Sequence, residues 1–222
     1  MRRQLLPGLR ITLLLTALTG LAYPGLVTGL CQALFPRQAN GGLLLKDGRV
    51  VGSALIGQDF TRPEYFQPRP SAVGYDAAGS GGSNLGPTSR KLADRVQASV
   101  EKFRRENPDY AGPIPADLVT TSASGLDPHL SPASAEAQVA RVAKARGVNA
   151  NQVREMVGRF TERRDLGFLG EPRVNVLRLN LALETWLNRS PPRGHPVAAR
   201  KPDLSRDRVP SGRGAVRIPS EH

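Results

Sequence analysis

The chain has 222 residues, a formal charge of +12, one cysteine, three histidines and 5% aromatic residues. A single cysteine excludes a disulfide-stapled module, and three histidines, two of them beyond residue 190, leave little for a metal centre or a nucleophile–base pair. The basic surplus does not read as a nucleic-acid surface: eight Lys and Arg follow residue 187, three precede residue 11, and no basic helix carries interleaved aromatic residues.

Residues 1–10, MRRQLLPGLR, form a short basic N-terminus, and from Ile11 to Pro36 no side chain is charged. That run is longer than the about 20 apolar residues needed to cross a bilayer. It also lacks the small-x-small cleavage pattern of a secretory signal, so it reads as an uncleaved transmembrane helix over 11–36. Arg2, Arg3 and Arg10 crowd its first end. By the positive-inside tendency that end stays cytoplasmic and everything after Pro36 crosses. Within the span, Gly25-x-x-x-Gly29 beside Thr28 is a spacing that lets a second helix approach closely, which makes Gly25 and Gly29 candidate partner contacts.

Residues 37–187 have the length and composition of one α+β extracytoplasmic domain on that single helix. Asp47-Gly48 between the apolar runs Leu43-Leu44-Leu45 and Arg49-Val50-Val51 predicts a β-hairpin, the second segment leading on to Ile56. From Gly57 to Gly86 the chain is dense in Gly, Pro and Ser, with Phe60, Tyr65, Phe66 and Tyr75 interspersed. That composition suggests an ordered surface loop. Leu92, Val96, Val100 and Phe103 recur at helical spacing up to Asn107-Pro108. Ser131-Pro132 opens a helix with apolar face Ala135, Val139, Val142 and Ala143, closed by Gly147. Asn149 with Gln152 has capping-box spacing before Val153, Met156, Val157 and Phe160. In RVNVLRLNLALETWL, alternation gives way to a helix ending at Leu187. Residues 188–222, with six prolines and eight basic residues against three acidic ones, read as a disordered tail.

The chemistry-bearing residues are few. Ser122 or Ser124, Asp127 and His129 lie too close in sequence to approach one another as a triad; the spacing instead suggests a turn capped by Asp127 with His129 at the surface. Gly79 to Ser89 is rich in Gly and Ser ahead of a helix but lacks the lysine of a phosphate-binding loop. It is read as a structural loop in which Gly81 and Gly82 take φ values that glycine reaches most easily. No catalytic residue and no metal ligand is assigned.

The runs GSALIGQDFTRPEYFQPRPSAVGYDAAGSGGSNLGPTS, DLVTTSASGLDPHLSPASAEAQVARVAKARGV and LGFLGEPRVNVLRLNLAL, in this order behind an N-terminal span, resemble the C subunit of the Kdp potassium-transporting ATPase. The resemblance implies a non-catalytic accessory subunit of a bacterial high-affinity K⁺ uptake complex, in the inner membrane. Its partners are a channel-like A subunit, an ATP-hydrolysing P-type B subunit and a small F subunit. The implied role is assembly of the complex and action as a catalytic chaperone that raises the ATP affinity of the B subunit. No cofactor is tightly bound, and ATP is met only together with the hydrolysing subunit. A glutamine with a Gly/Ser signature has been linked to nucleotide in that family. Gln138 and Ser80 to Ser83 are the nearest matches here, although Gln138 as an exposed helix-surface amide is the reading preferred from the residues. Gly81, Gly82, Ser83, Asn84, Asp127 and His129 are candidate contacts with the pore subunit. A membrane-anchored envelope binding module or hydrolase is the alternative.

Overall fold

The computed structural model describes residues 2–189, so the basic Pro-rich segment from Ser190 onward lies outside the described residues. Its first element is a nearly continuous helix: α1 (Arg2–Ala17), a π turn (Leu18–Ala22) and α2 (Tyr23–Leu34). The stretch Gln4–Leu34 is long and apolar enough to cross a membrane. Its 31 residues span about 46 Å, against the roughly 30 Å of a hydrocarbon core. The basic residues before Ile11 therefore sit on the first turns of the same helix, and the helix stops at Leu34, before Pro36.

The π turn has a local cause. Pro24 carries no N–H, and its ring would collide with the carbonyl four residues back. Widening the preceding turn, with Tyr23 N–H bonded to Leu18 O, accommodates it without breaking the helix. Thr12 and Thr19 donate their hydroxyls to Gly8 O and Leu15 O, which satisfies both in an apolar setting. A β-carbon at Gly25 or Gly29 would meet nothing within 4 Å, so that face of α2 is open.

After a short α3 (Pro36–Ala39) the chain forms the hairpin β1 (Leu43–Lys46) and β2 (Arg49–Ser53), antiparallel with a bulge between Leu44 and Leu45. Asp47 and Gly48 both have positive φ, 51° and 74°, as the tight turn demands. The second strand ends at Ser53 instead of continuing to Ile56, because its partner begins only at Leu43, after Gly41 and Gly42 at positive φ (81° and 55°); the bond from Ala54 N–H to Gly42 O is the last across the hairpin.

The long segment up to Ser89 has neither helix nor strand. It is followed by α4 (Arg90–Glu106), which buries Phe103 and is terminated by Asn107. A second sheet, of order β3-β5-β4, joins His129–Leu130, Arg173–Asn175 and Thr161–Glu162 in antiparallel pairs. Against it pack α5 (Pro132–Glu136), α6 (Val139–Arg146), α7 (Ala150–Arg159) and α8 (Val176–Arg189). The helix expected from Ser131 is thus two helices with a break at Ala137 and Gln138. Its predicted apolar face is buried all the same: Ala135, Val139, Val142 and Ala143 are each at most 4% exposed. Gly147 takes the left-handed closing position at φ 66°, and Asn149 with Gln152 forms the expected capping box. The observed architecture is α+β behind one apolar helix.

Phe66 and Tyr65 are not at the surface. Phe66 is 0% exposed, in the same core cluster as Leu130, Val142 and Leu183. A loop that buries an aromatic side chain must also satisfy its own backbone, and here side-chain amides take the part of a neighbouring strand. Phe66 N–H donates to Asn180 Oδ1 at 2.9 Å while Asn180 Nδ2 donates to Phe66 O at 3.0 Å. Gln67 N–H donates to Gln138 Oε1 at 2.8 Å while Gln138 Nε2 donates to Gln67 O at 3.1 Å. Two consecutive residues are each held at both polar groups, by Asn180 of α8 and by Gln138, the residue just before α6.

Candidate functional site

The structure brings the two loops singled out in sequence into one surface. Gly81 N–H donates to Ser124 O at 2.8 Å, Ser80 Oγ to the same carbonyl at 3.1 Å, and Ser83 Oγ lies 3.4 Å from Thr121 Oγ1. Ser71 fastens the strip from below: its hydroxyl donates to Gly125 O at 2.6 Å and accepts from the N–H groups of Val73 and Tyr75. Tyr75 OH in turn donates to Arg69 O. Burial, with the nearby Asp59 charge, pushes the Tyr75 phenol up, keeping it a donor.

The glycines have another role than expected. Neither Gly81 nor Gly82 has positive φ; Asn84 (48°) and Gly125 (68°) do. Gly82 is needed for close approach, since a β-carbon there would lie 2.8 Å from Ala123 O, whereas one at Gly81 would meet Val73 Cγ1 at an ordinary 3.7 Å. Gly82→Ala is therefore expected to cost about 1–3 kcal/mol and Gly81→Ala less than about 1 kcal/mol. Thermal unfolding of the two variants side by side checks the difference; equal losses would remove the close-approach argument.

Asp127 caps the turn, as its position suggests: Oδ1 accepts from His129 N–H at 3.0 Å and Oδ2 from Arg69 Nη1 at 2.9 Å. Burial pushes its carboxyl up, but bonds from His129 and Arg69 outweigh it and hold it below the usual range. His129 Nδ1 lies 3.5 Å from Asp127 Oδ1, and the ring is half-buried in β3, not free at the surface. Among the described residues no hydrogen bond joins Ser122 or Ser124 to His129; Ser124 Oγ accepts from Leu126 N–H. The arrangement rigidifies a surface and is not set out for nucleophilic attack. Asn84 is exposed on that surface, and Gly25 and Gly29 lie far from it in sequence, on the apolar helix.

Gln138 is the clearest departure from expectation. It is 1% exposed. Besides its pair of bonds to Gln67, its Oε1 accepts from Arg141 Nη2 at 2.6 Å and its Nε2 donates to Ser134 O at 3.3 Å. Two acceptor and two donor positions are all used inside the chain. The exposed reading fails because the helix breaks just before Val139 and turns residue 138 inward. Arg141 continues the network, donating to Pro63 O, Tyr65 O and Asn107 Oδ1. Burial lowers its pKa to about 10, which still leaves it charged at neutral pH.

Sequence reasoning missed a second cluster. Glu184 on α8 accepts from Lys46 on β1 and from Tyr65 OH, while the guanidinium carbons of Arg62 and Arg146 lie 5.0 and 5.1 Å from the centre of the Tyr65 ring. The cluster ties the hairpin that follows the apolar helix to the last helix of the domain. Nothing in the spacing of Lys46, Tyr65 and Glu184 signals it, since the partners are 119 and 138 positions apart. A signal did exist for Asn175 and Asn180, each a polar residue flanked on both sides by aliphatic ones, Val174 and Val176, and Leu179 and Leu181.

Fold and site together define a small α+β domain carried behind one membrane-crossing-length helix, its polar groups spent on holding loops in place. A family model described as K⁺-transporting ATPase, c chain (KdpC), matches residues 5–185. The potassium-transporting ATPase KdpC subunit of Myxococcus xanthus is 63% identical over 183 residues, covering 81% of this chain and 86% of that protein. The KdpC subunit of Sorangium cellulosum is 58% identical over 187 residues, covering 83% and 98% respectively. The chain belongs to the KdpC family.

Proposed function

We propose that the chain is a non-catalytic accessory subunit of an ATP-driven K⁺ uptake complex in the bacterial inner membrane. Its N-terminus is cytoplasmic and its domain extracytoplasmic, against the pore-forming subunit. The observation that carries this reading is that the match over residues 5–185 takes in both the apolar helix and the α+β domain, so relatives named as subunits of a K⁺-transporting ATPase share the whole arrangement. The rigid strip formed by Gly81 to Asn84 and Ser124 to His129 is the proposed docking surface. Gly25 and Gly29, open on α2, are the proposed contact within the membrane.

As a catalytic chaperone the chain raises the ATP affinity of the hydrolysing subunit by favouring one conformation of the complex, not by touching nucleotide. Gln138 supports this, its amide being wholly engaged inside the chain. The test is purification from detergent-solubilised membranes through a tag on this chain. Co-purification with two large subunits is expected, together with K⁺-stimulated ATP hydrolysis that requires less ATP when the chain is present. Gly25→Leu with Gly29→Leu is expected to lower the yield of complex several-fold while leaving membrane insertion intact. A chain that purifies alone overturns the proposal.

A further inference from the structure

Between β4 and β5 the chain makes a projection whose apolar side chains face outward. Leu166 is 82% exposed, Phe168 69% and Leu169 49%, whereas Phe66 and Phe103 of the same domain are buried. The projection is closed, not loose: Asp165 and Leu169 exchange both backbone hydrogen bonds at 2.9 Å, and Leu166 and Gly167 turn the chain at φ 53° and 84°. A leucine at positive φ is strained, and at 82% exposure Leu166 gains little in return by packing inside the chain. Ion pairs brace the base, Arg164 with Glu171 and Arg173 with both Asp165 and Glu162.

The base also has a definite place. Glu162, Arg173 and Arg178 line one groove together with Arg37, Gln38 and Asn40, the residues that follow directly on the apolar helix. The projection thus springs from beside the point where the chain leaves the apolar helix. Around it the basic side chains, Arg37, Arg163, Arg164, Arg173 and Arg178, outnumber the carboxylates of Glu162, Asp165 and Glu171. Leucine and phenylalanine at the tip with an arginine surplus at the base is the pattern of a segment that lies in the interface of an anionic bilayer.

We propose that Leu166, Phe168 and Leu169 insert into the lipid–water interface beside the chain's own span, giving the domain a second membrane contact that fixes its tilt. This rests on the reading of Gln4–Leu34 as a membrane span and is independent of which side the domain occupies. The occupant is lipid, because the base adjoins the end of the span and its charge complements anionic headgroups.

The test uses the full chain in vesicles of equal phosphatidylcholine and phosphatidylglycerol, with an environment-sensitive fluorophore on a single cysteine. One sample carries it on native Cys31; the others combine Cys31→Ser with Leu166→Cys, Phe168→Cys or, as a control, Glu155→Cys on the exposed face of α7. Blue-shifted emission and quenching by nitroxide lipids are expected at positions 31, 166 and 168 and not at 155. Quenching at 31 with water-like, unquenched emission at both 166 and 168 overturns the interfacial contact and leaves the span standing. A blue shift at 166 and 168 that needs the other subunits and is insensitive to nitroxide lipids overturns it in favour of a protein contact. Loss of quenching at 31 overturns both readings. The two tip positions are independent, so misfolding of one variant leaves the other informative.

Discussion

Gln138→Ala is expected to lower the stability of the detergent-solubilised chain by about 3 kcal/mol, equivalent to a fall of about 10 °C in melting temperature. The truncation removes both partners of Gln67, whose N–H and carbonyl have no neighbouring strand to turn to, and one acceptor of Arg141, which is only 8% exposed. Unpaired buried groups cost more than the bonds that satisfied them contributed. Whatever complex still assembles is expected to need the same ATP concentration for half-maximal hydrolysis as the parent. The opposite pattern, normal melting with a raised ATP requirement, would place Gln138 at a nucleotide. Asn180→Ala, which removes the equivalent clamp on Phe66, is expected to match the stability loss.

Glu184→Ala is expected to cost about 2–3 kcal/mol near neutral pH, because it strips Lys46 and Tyr65 of a shared carboxylate whose side chain is 14% exposed. The loss has a pH signature. Burial pushes the Glu184 carboxyl up, but hydrogen bonds from Lys46 and Tyr65 and the Lys46 charge outweigh it, so the folded value lies below the ordinary 4.5. A depressed folded pKa means the contribution is complete above pH 4.5 and disappears as pH falls through the lower folded value. Tyr65 behaves in the opposite sense: burial, helped by Glu184, raises it from 10.0 to about 12. Its contribution is complete below pH 10.0 and is lost as pH rises through about 12. Denaturant titrations of parent and variant should therefore show a gap that is flat between those limits and closes beyond each of them. A gap independent of pH would show that the cluster contributes by packing alone.

The second hairpin segment shows where sequence pattern stops being informative. Asp47-Gly48 dictates the turn through its own φ preferences, but the end of the second strand is set by its partner, which begins only at Leu43 after Gly41 and Gly42 at positive φ. The same holds at Gly82. Glycine there is legible as a requirement for smallness or for unusual φ, and only the carbonyl of Ala123, 41 residues away, shows that smallness is the reason. The surface uniting Gly81 to Asn84 with Asp127 and His129 was legible as two separate loops, because each has local turn chemistry, but not as one surface.

Features that depend on neighbours along the chain are legible in the residues alone: an apolar run long enough to cross a membrane, the Asp-Gly turn, the Asn149 capping box, the Gly147 stop and the buried face of α6. The residues carry the family too, since long ordered runs across residues 5–185 are specific in a way that single motifs are not. Which polar residues hold the loops in place emerges only from long-range packing. Gln138 and Asn180 have side chains that look at home on a solvated helix face, and Glu184 and Lys46 could equally have been surface charges. Gln138 and Asn180 are buried, and Lys46 and Glu184 half-buried, because an irregular, aromatic-bearing loop folds over the helices and brings backbone groups and a phenol that need partners. Burial of polar groups is settled by contacts made across more than seventy residues, and no local periodicity encodes those.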